Sequence, residues 1–245
     1  MTAFLPKPLR DMFVMPRMER LFPIFSAVAE HSLLVEFGDQ IDRAINAKVL
    51  HLDQVLAEAP FHGFVEAVPA YASLLIRFDP VISDHTLAEV ALRGLLDHTA
   101  SLGHPQGQRD VAVCYDFDLA PDLPAVAATT GLSPEAVIGA HLAGQYSVFM
   151  YGFAPGYAYL AGVHEAIRLP RKPAAVRGVT AGSVLIAGLQ CLVSTITMPT
   201  GWWAIGRSPT KILTGNPVRP FLFDVGDSVQ FRRISRAEYD EQVNK

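Results

Sequence analysis

Cysteine is scarce in this chain: Cys114 and Cys191 are the only two among 245 residues. They lie far apart with no second Cys or His at ligand spacing, so they read as two reduced, buried thiols of a cytoplasmic protein rather than a disulfide framework. The eight histidines form no HxH or HExxH pattern, and no metal site is expected. A basic surplus is missing too. Lys and Arg number 20 against 24 Asp and Glu, for a formal net charge of −4, and no basic cluster occurs, which argues against a nucleic-acid partner. The N-terminus lacks the apolar stretch of a signal peptide, because Lys7, Arg10, Asp11, Arg17, Glu19 and Arg20 are scattered through it with Pro6 and Pro16. One run, residues 136–163, is free of Asp, Glu, Lys and Arg over about 28 positions, long enough to cross a bilayer. Five glycines, Pro155, Gln145 and His141 interrupt it. It therefore reads as a buried strand–turn–strand, and no membrane partner is expected.

What is present is globular: 50% hydrophobic and 18% charged residues, at a length that allows one large domain or two small ones. A strand is expected at residues 31–37, closed by Gly38-Asp39. Apolar residues near a 3.6 period predict a helix over 41–57. Residues 64–78 read as two strands turning near Pro69. Ser83-Asp84 is placed to cap a second helix over about 87–102, with Leu87, Val90, Ala91 and Leu95 on its buried face and Gly94 weakening it. The polar stretch 103–110 is the best boundary candidate. Beyond it come a strand at 111–115, a short helix at 121–128, and a helix over 134–142 capped by Ser133 before Pro134. From Ser147 onward helical periodicity stops. Short apolar runs (SVFMYGF, SVLIAG, LVSTI, WWAIG, PFLF, SVQF) separated by Gly, Pro and Asp predict a compact barrel or sandwich.

Several stretches are able to carry chemistry. Residues 146–160 hold four tyrosines and two phenylalanines around Gly152-Phe-Ala-Pro-Gly156, whose glycines and proline demand a sharp turn. This is either aromatic core or a ligand pocket. Gly201-Trp-Trp-Ala-Ile-Gly-Arg-Ser208 matches the outline of a phosphate loop, but two tryptophans fill it and Pro209 stands where a helix should propagate. It is a decoy. Arg171, Arg177 and Arg207 stand beside turns in a stretch poor in basic residues, where a guanidinium forks onto a carboxylate or phosphate. Arg171 and Arg207 are expected to meet in one cleft. His141, near a helix end, stays open between a core position and acid–base work. Ser183 lacks a nucleophile-elbow pattern.

In order and spacing, these stretches resemble the family of KipI and the B-type 5-oxoprolinase subunits, also described as allophanate hydrolase subunit 1 or carboxyltransferase subunit. The resemblance runs from about Phe25 to Ile234. It is carried by Leu33-Leu-Val-Glu-Phe-Gly-Asp39, Val68-Pro-Ala-Tyr71, Val113-Cys-Tyr115, Gly131-Leu-Ser133, His141 and Gly152-Phe-Ala-Pro-Gly156. Further markers are Pro170-Arg171, Ala181-Gly-Ser-Val184, Ile186-Ala-Gly188 with Gln190, Gly201-Trp202 and Ile205-Gly-Arg207. The first 20 or so residues have no counterpart, and Met18 is a second candidate start. The resemblance implies an α+β fold: an extension over 1–22, a small α/β domain over 23–104 and a cyclophilin-like β-barrel over 105–245. It implies a subunit that hydrolyses the amide ring of 5-oxoproline to glutamate, in a complex with a sister subunit of the C-type 5-oxoprolinase or KipA kind. The complex uses ATP, for which this chain offers no nucleotide site. His141, Arg171 and Arg207 carry over as catalytic residues. Phe153, Pro155, Gly156, Ser183, Gln190 and Trp202 carry over as contacts to a small carboxylic acid or lactam. Residues 152–160 and Trp202-Trp203 are expected at the subunit interface. The family also contains a KipI-type regulator that inhibits a sensor histidine kinase, and allophanate hydrolase or urea carboxylase-type carboxyltransferase subunits.

Overall fold

The computed structural model describes residues 20–96 and 107–244. The first part contains β1 (Ile24–Val28), β2 (Ser32–Glu36), α1 (Arg43–Glu58), β3 (Phe64–Pro69), β4 (Ser73–Phe78) and α2 (His85–Leu96). The strands form one sheet in the order β1-β2-β4-β3, every neighbour antiparallel. α1 begins where the Asp42 carboxylate accepts the otherwise unpaired amides of Ala44 and Ile45 at 2.8 and 3.0 Å. Its Val49, Leu52 and Leu56 pack on Leu33, Val35, Leu74 and Ile76 of the sheet. α2 is capped by Asp84, which accepts from the Leu87 amide at 2.8 Å. The face it buries differs in part from the expected one: Leu95 packs on the core as expected, but Ala88 and Leu92 are the buried residues, while Leu87 and Val90 are 57% and 66% exposed. Apolar residues line two faces of this helix, so periodicity alone does not choose between them. Its expected continuation to residue 102 and most of the polar boundary stretch lie outside the described residues.

The second part runs through β5 (Gln108–Val113), α3 (Leu123–Thr130), α4 (Pro134–Leu142), β6 (Tyr146–Tyr151), β7 (Ala158–Ala161), β8 (Val176–Val179), β9 (Ser183–Ala187), β10 (Gln190–Val193), β11 (Met198–Thr200), β12 (Trp203–Arg207), β13 (Ser228–Arg233) and α5 (Arg236–Val243). Seven strands pair in the order β12-β9-β10-β7-β6-β13-β5, with β13–β5 the one parallel pair among them. The two end strands then meet. The Cys114 amide donates to the Arg207 carbonyl at 2.8 Å and the Arg207 amide returns to Cys114 at 2.9 Å. This bridge closes the barrel. Gly206 is required at the seam, because a Cβ there would lie 2.7 Å from Val113 Cγ1 and 3.1 Å from the Cys114 carbonyl.

Alternation along the strands sorts the side chains into two layers. Val113, Val148, Leu160, Val184, Ile186 and Phe231 fill the interior, joined by Val126 and Ile138 of α3 and α4. Tyr157, Leu185, Leu192, Trp202 and Ala204 cover the outer face, over which the β8–β11 ribbon lays Val179 and Met198. The architecture is the α+β arrangement with a cyclophilin-like barrel that the resemblance implies. Two expectations need correcting. The PFLF run forms only an isolated bridge, Leu213 to Phe221, since no neighbouring strand continues the pairing. The charge-free stretch is α4, β6, a turn and β7, and among the described residues no helix is long and apolar enough to cross a membrane.

Candidate functional site

The outer face of the barrel, across β7, β10, β9 and β12, carries a chain of rings. Tyr157 and Tyr159 lie 5.9 Å apart between centroids, and Tyr159 lies 5.9 Å from Trp202. The Arg171 guanidinium stands 5.6 Å from the Trp202 ring centre, within cation–π range. The segment bearing Arg171 is fastened on both sides. The Trp203 indole donates to the Pro170 carbonyl at 2.8 Å, and the Lys172 amide donates to Gly201 at 2.7 Å. The Lys172 ammonium meets Asp122 at 2.5 Å, and the same carboxylate oxygen accepts the Ala204 amide at 2.7 Å.

Tyr71, which the residue-level reading did not single out, completes the group from the other sheet. It sits in the turn between β3 and β4. The buried Asn46 side chain of α1 donates to the carbonyls of Ala70 and Tyr71 at 3.1 and 3.2 Å, with Phe149 of β6 at 3.5 Å. The Tyr71 ring lies 5.7 Å from Phe149 and 6.2 Å from Tyr159. Its hydroxyl is buried and, among the described residues, completes no hydrogen bond of ordinary geometry, with Gln190 the nearest donor. Burial pushes the phenol well above the usual tyrosine range, the Tyr159 hydroxyl adds to this, and neighbouring Gln190 offsets part of it. Burial also raises Tyr159, and it pushes Tyr157 up to about 12. These tyrosines are therefore neutral at pH 7. Together the group presents aromatic faces, one cation and an uncharged donor. The two strands expected to turn near Pro69 located this turn, and the marker Val68-Pro-Ala-Tyr71 is what pointed to Tyr71 itself.

The other expected site residues are dispersed. Phe153, Pro155 and Gly156 form the turn between β6 and β7, beside a shallow hollow of about 360 Å³ bounded by Tyr151 and Phe221. Phe153 is 72% exposed and holds φ of 69°, the left-handed region that non-glycine residues rarely adopt. The Pro155 carbonyl accepts from Thr195 at 2.8 Å. Gln190 opens β10 beside Tyr71, and Trp202 is 5% exposed, packed within its own chain rather than presented to a partner. Ser183 is buried, and its hydroxyl is committed to the Thr180 carbonyl at 2.8 Å. Arg207 does not join Arg171. The two stand at opposite ends of β12, about 13 Å apart along the strand, and Arg207 belongs to the barrel seam with its Nε buried and unpaired. His141, expected among the catalytic groups, lies fully buried in the barrel core. Its Nδ1 shares a 2.7 Å hydrogen bond with the Tyr115 hydroxyl, Cys191 Sγ lies 3.7 Å from Nε2, and Phe231 packs at 4.5 Å. Burial holds its pKa down at about 3, so the ring is neutral and enclosed.

The sequence model of the carboxyltransferase domain, subdomain C and D, matches residues 23–223. The chain belongs to this family. This carboxyltransferase-domain chain is 35% identical over 223 residues to the B-type 5-oxoprolinase subunit of Bacillus subtilis (strain 168), spanning 86% of this chain and 93% of the relative. The crystal structure of TTHA0988 superimposes with a TM-score of 0.74 at 33% identity, covering 84% of this chain and 40% of that one, so this chain spans less than half of that protein. The K. lactis urea amidolyase, at 17% identity and a TM-score of 0.73, covers 95% of this chain and shares the fold.

Proposed function

We propose that this chain is the B-type subunit of an ATP-dependent 5-oxoprolinase, which opens the amide ring of 5-oxoproline to give glutamate. The observation that carries the reading is the likeness, over 93% of its length, to the Bacillus subtilis protein of that name. The geometry supports it in kind. 5-Oxoproline is a small five-membered ring with one carboxylate. Arg171 offers one guanidinium, and Trp202, Tyr159 and Tyr71 offer apolar faces for the ring. Nucleotide does not fit the segment nearest to a phosphate loop: Trp203–Arg207 is a strand, Gly206 is packed against Val113, and the next helix begins only at Arg236. ATP on this reading is handled by a sister subunit of the C-type 5-oxoprolinase or KipA kind. The complex is cytoplasmic, where Cys114 and Cys191 stay reduced.

Co-expression with the sister chain and measurement of glutamate release test the proposal. Glutamate should appear only with both chains and ATP, and this chain alone should turn over no ATP. Arg171→Lys keeps the charge but loses the planar fork, and should raise KM about tenfold. ATP turnover by the isolated chain, or a complex inert toward 5-oxoproline, would sink the reading. Inhibition of a sensor histidine kinase would then favour the KipI-type regulator, and dependence on a biotinylated partner the carboxyltransferase.

A further inference from the structure

From the buried, unpaired hydroxyl of Tyr71 beside Gln190 and Tyr159, we infer that Tyr71 is a substrate-recognition residue, donating a hydrogen bond to an acceptor oxygen of the ligand opposite the carboxylate held by Arg171. The inference rests on the reading above and adds the part of the substrate that the first sheet recognises. A buried hydroxyl is normally paired, because water is not there to satisfy it. Here Gln190 faces the phenol oxygen as a donor and lowers its pKa, but among the described residues no acceptor takes the hydroxyl's own proton, although the Tyr71 turn is itself firmly held by the Asn46 amide from below. A side chain fixed this well and left unsatisfied is prepared for a partner that the free protein does not supply. Its neighbours select the chemistry. Tyr159, Phe149 and Trp202 favour a flat, apolar ring, and Arg171 favours an anion. The phenol is a neutral donor, so it satisfies an uncharged oxygen such as a lactam carbonyl without calling for a second negative charge on the ligand. Selectivity follows: a site built to hydrogen-bond one oxygen rejects the ring acid lacking it.

Tyr71→Phe removes that hydroxyl and nothing else. Both tryptophans, Trp202 and Trp203, lie at the site, so intrinsic fluorescence reports binding. The full chain and its complex with the sister subunit are titrated with 5-oxoproline, with cyclopentanecarboxylate (a ring acid with no carbonyl) and with glutarate (a second acceptor oxygen but no ring). Tyr71→Phe should weaken 5-oxoproline about tenfold, leave cyclopentanecarboxylate unchanged, and keep or raise Tm, since an unsatisfied buried group is lost. Equal losses for both ring acids, or no loss for 5-oxoproline, would overturn the inference, as would a wild-type protein that binds none of the three. If 5-oxoproline binds no better than cyclopentanecarboxylate, the 5-oxoprolinase reading fails. The inference about Tyr71 then stands only if glutarate weakens in Tyr71→Phe, and falls otherwise.

Discussion

His141 shows how burial decides what a titratable residue does. Its pKa lies near 3 in the folded chain, against about 6.5 for an unfolded histidine. Above pH 6.5 the ring is neutral in both states and stability does not depend on it. Below that, the unfolded chain takes up a proton that the folded chain refuses, so stability falls by up to about 1.4 kcal/mol per pH unit until the folded pKa is reached. Between pH 6.5 and 5 most carboxylates have not begun to protonate, which leaves the slope to histidine. His141→Gln should therefore be less stable at pH 7, having lost the Tyr115 and Phe231 contacts, yet show a flatter acid limb in this window. Urea midpoints of both proteins from pH 7.5 to 5 measure the difference, and parallel curves would refute it. The sequence left His141 open between core and chemistry because a histidine near a helix end looks the same in either setting. Tyr71 escaped for a different reason. Its neighbours Asn46, Phe149 and Gln190 are distant along the chain, and long-range convergence leaves no local period to read.

At the scale of elements, what was legible followed local rules. Asp84 and Ser133 cap the helices they precede. The apolar runs at 183–187 and 203–207 are strands bounded by turns. α5 was missed, although Ser235 and Glu238 form a full capping box, because a helix with no buried residue carries no apolar period. β8 and β11 escaped likewise, mostly exposed ribbon strands with few large apolar residues. The barrel closure was invisible, since pairing Cys114 with Arg207 depends on distant backbone atoms. The Asp122–Lys172 pair joins the start of α3 to the Arg171 segment and to β12. Only 10% of the Lys172 side chain and 20% of Asp122 reach solvent, so removing one partner leaves a poorly hydrated charge. Lys172→Met should cost about 3 kcal/mol, and adding Asp122→Asn should recover part of that loss. A double-mutant cycle in urea tests it, and additive losses would mean the pair is not coupled.

On the scale of the whole molecule, the barrel satisfies its own core and still leaves an apolar projection. The mean hydropathy is +0.25. Phe153 stands at the tip of the β6–β7 turn with Leu213, 43% exposed, near the same hollow through Gly156. A phenylalanine held at φ 69° costs about 1 kcal/mol or more relative to an ordinary backbone. Among the described residues its one aromatic partner is Tyr157, at 5.3 Å. Exposure and strain together are unfavourable for a free subunit and become favourable once a partner covers the ring. We expect Phe153 to insert into the sister subunit. Phe153→Gly should then raise the Tm of the isolated chain by relieving the strain, while weakening assembly. Phe153→Asp should abolish co-elution on size exclusion and leave the circular dichroism of the chain unchanged. The opposed effects of Phe153→Gly separate an interface residue from a structural one, because a structural aromatic would lose stability and assembly together. Co-elution of both variants with the sister chain at the wild-type midpoint concentration would move the interface elsewhere on the barrel.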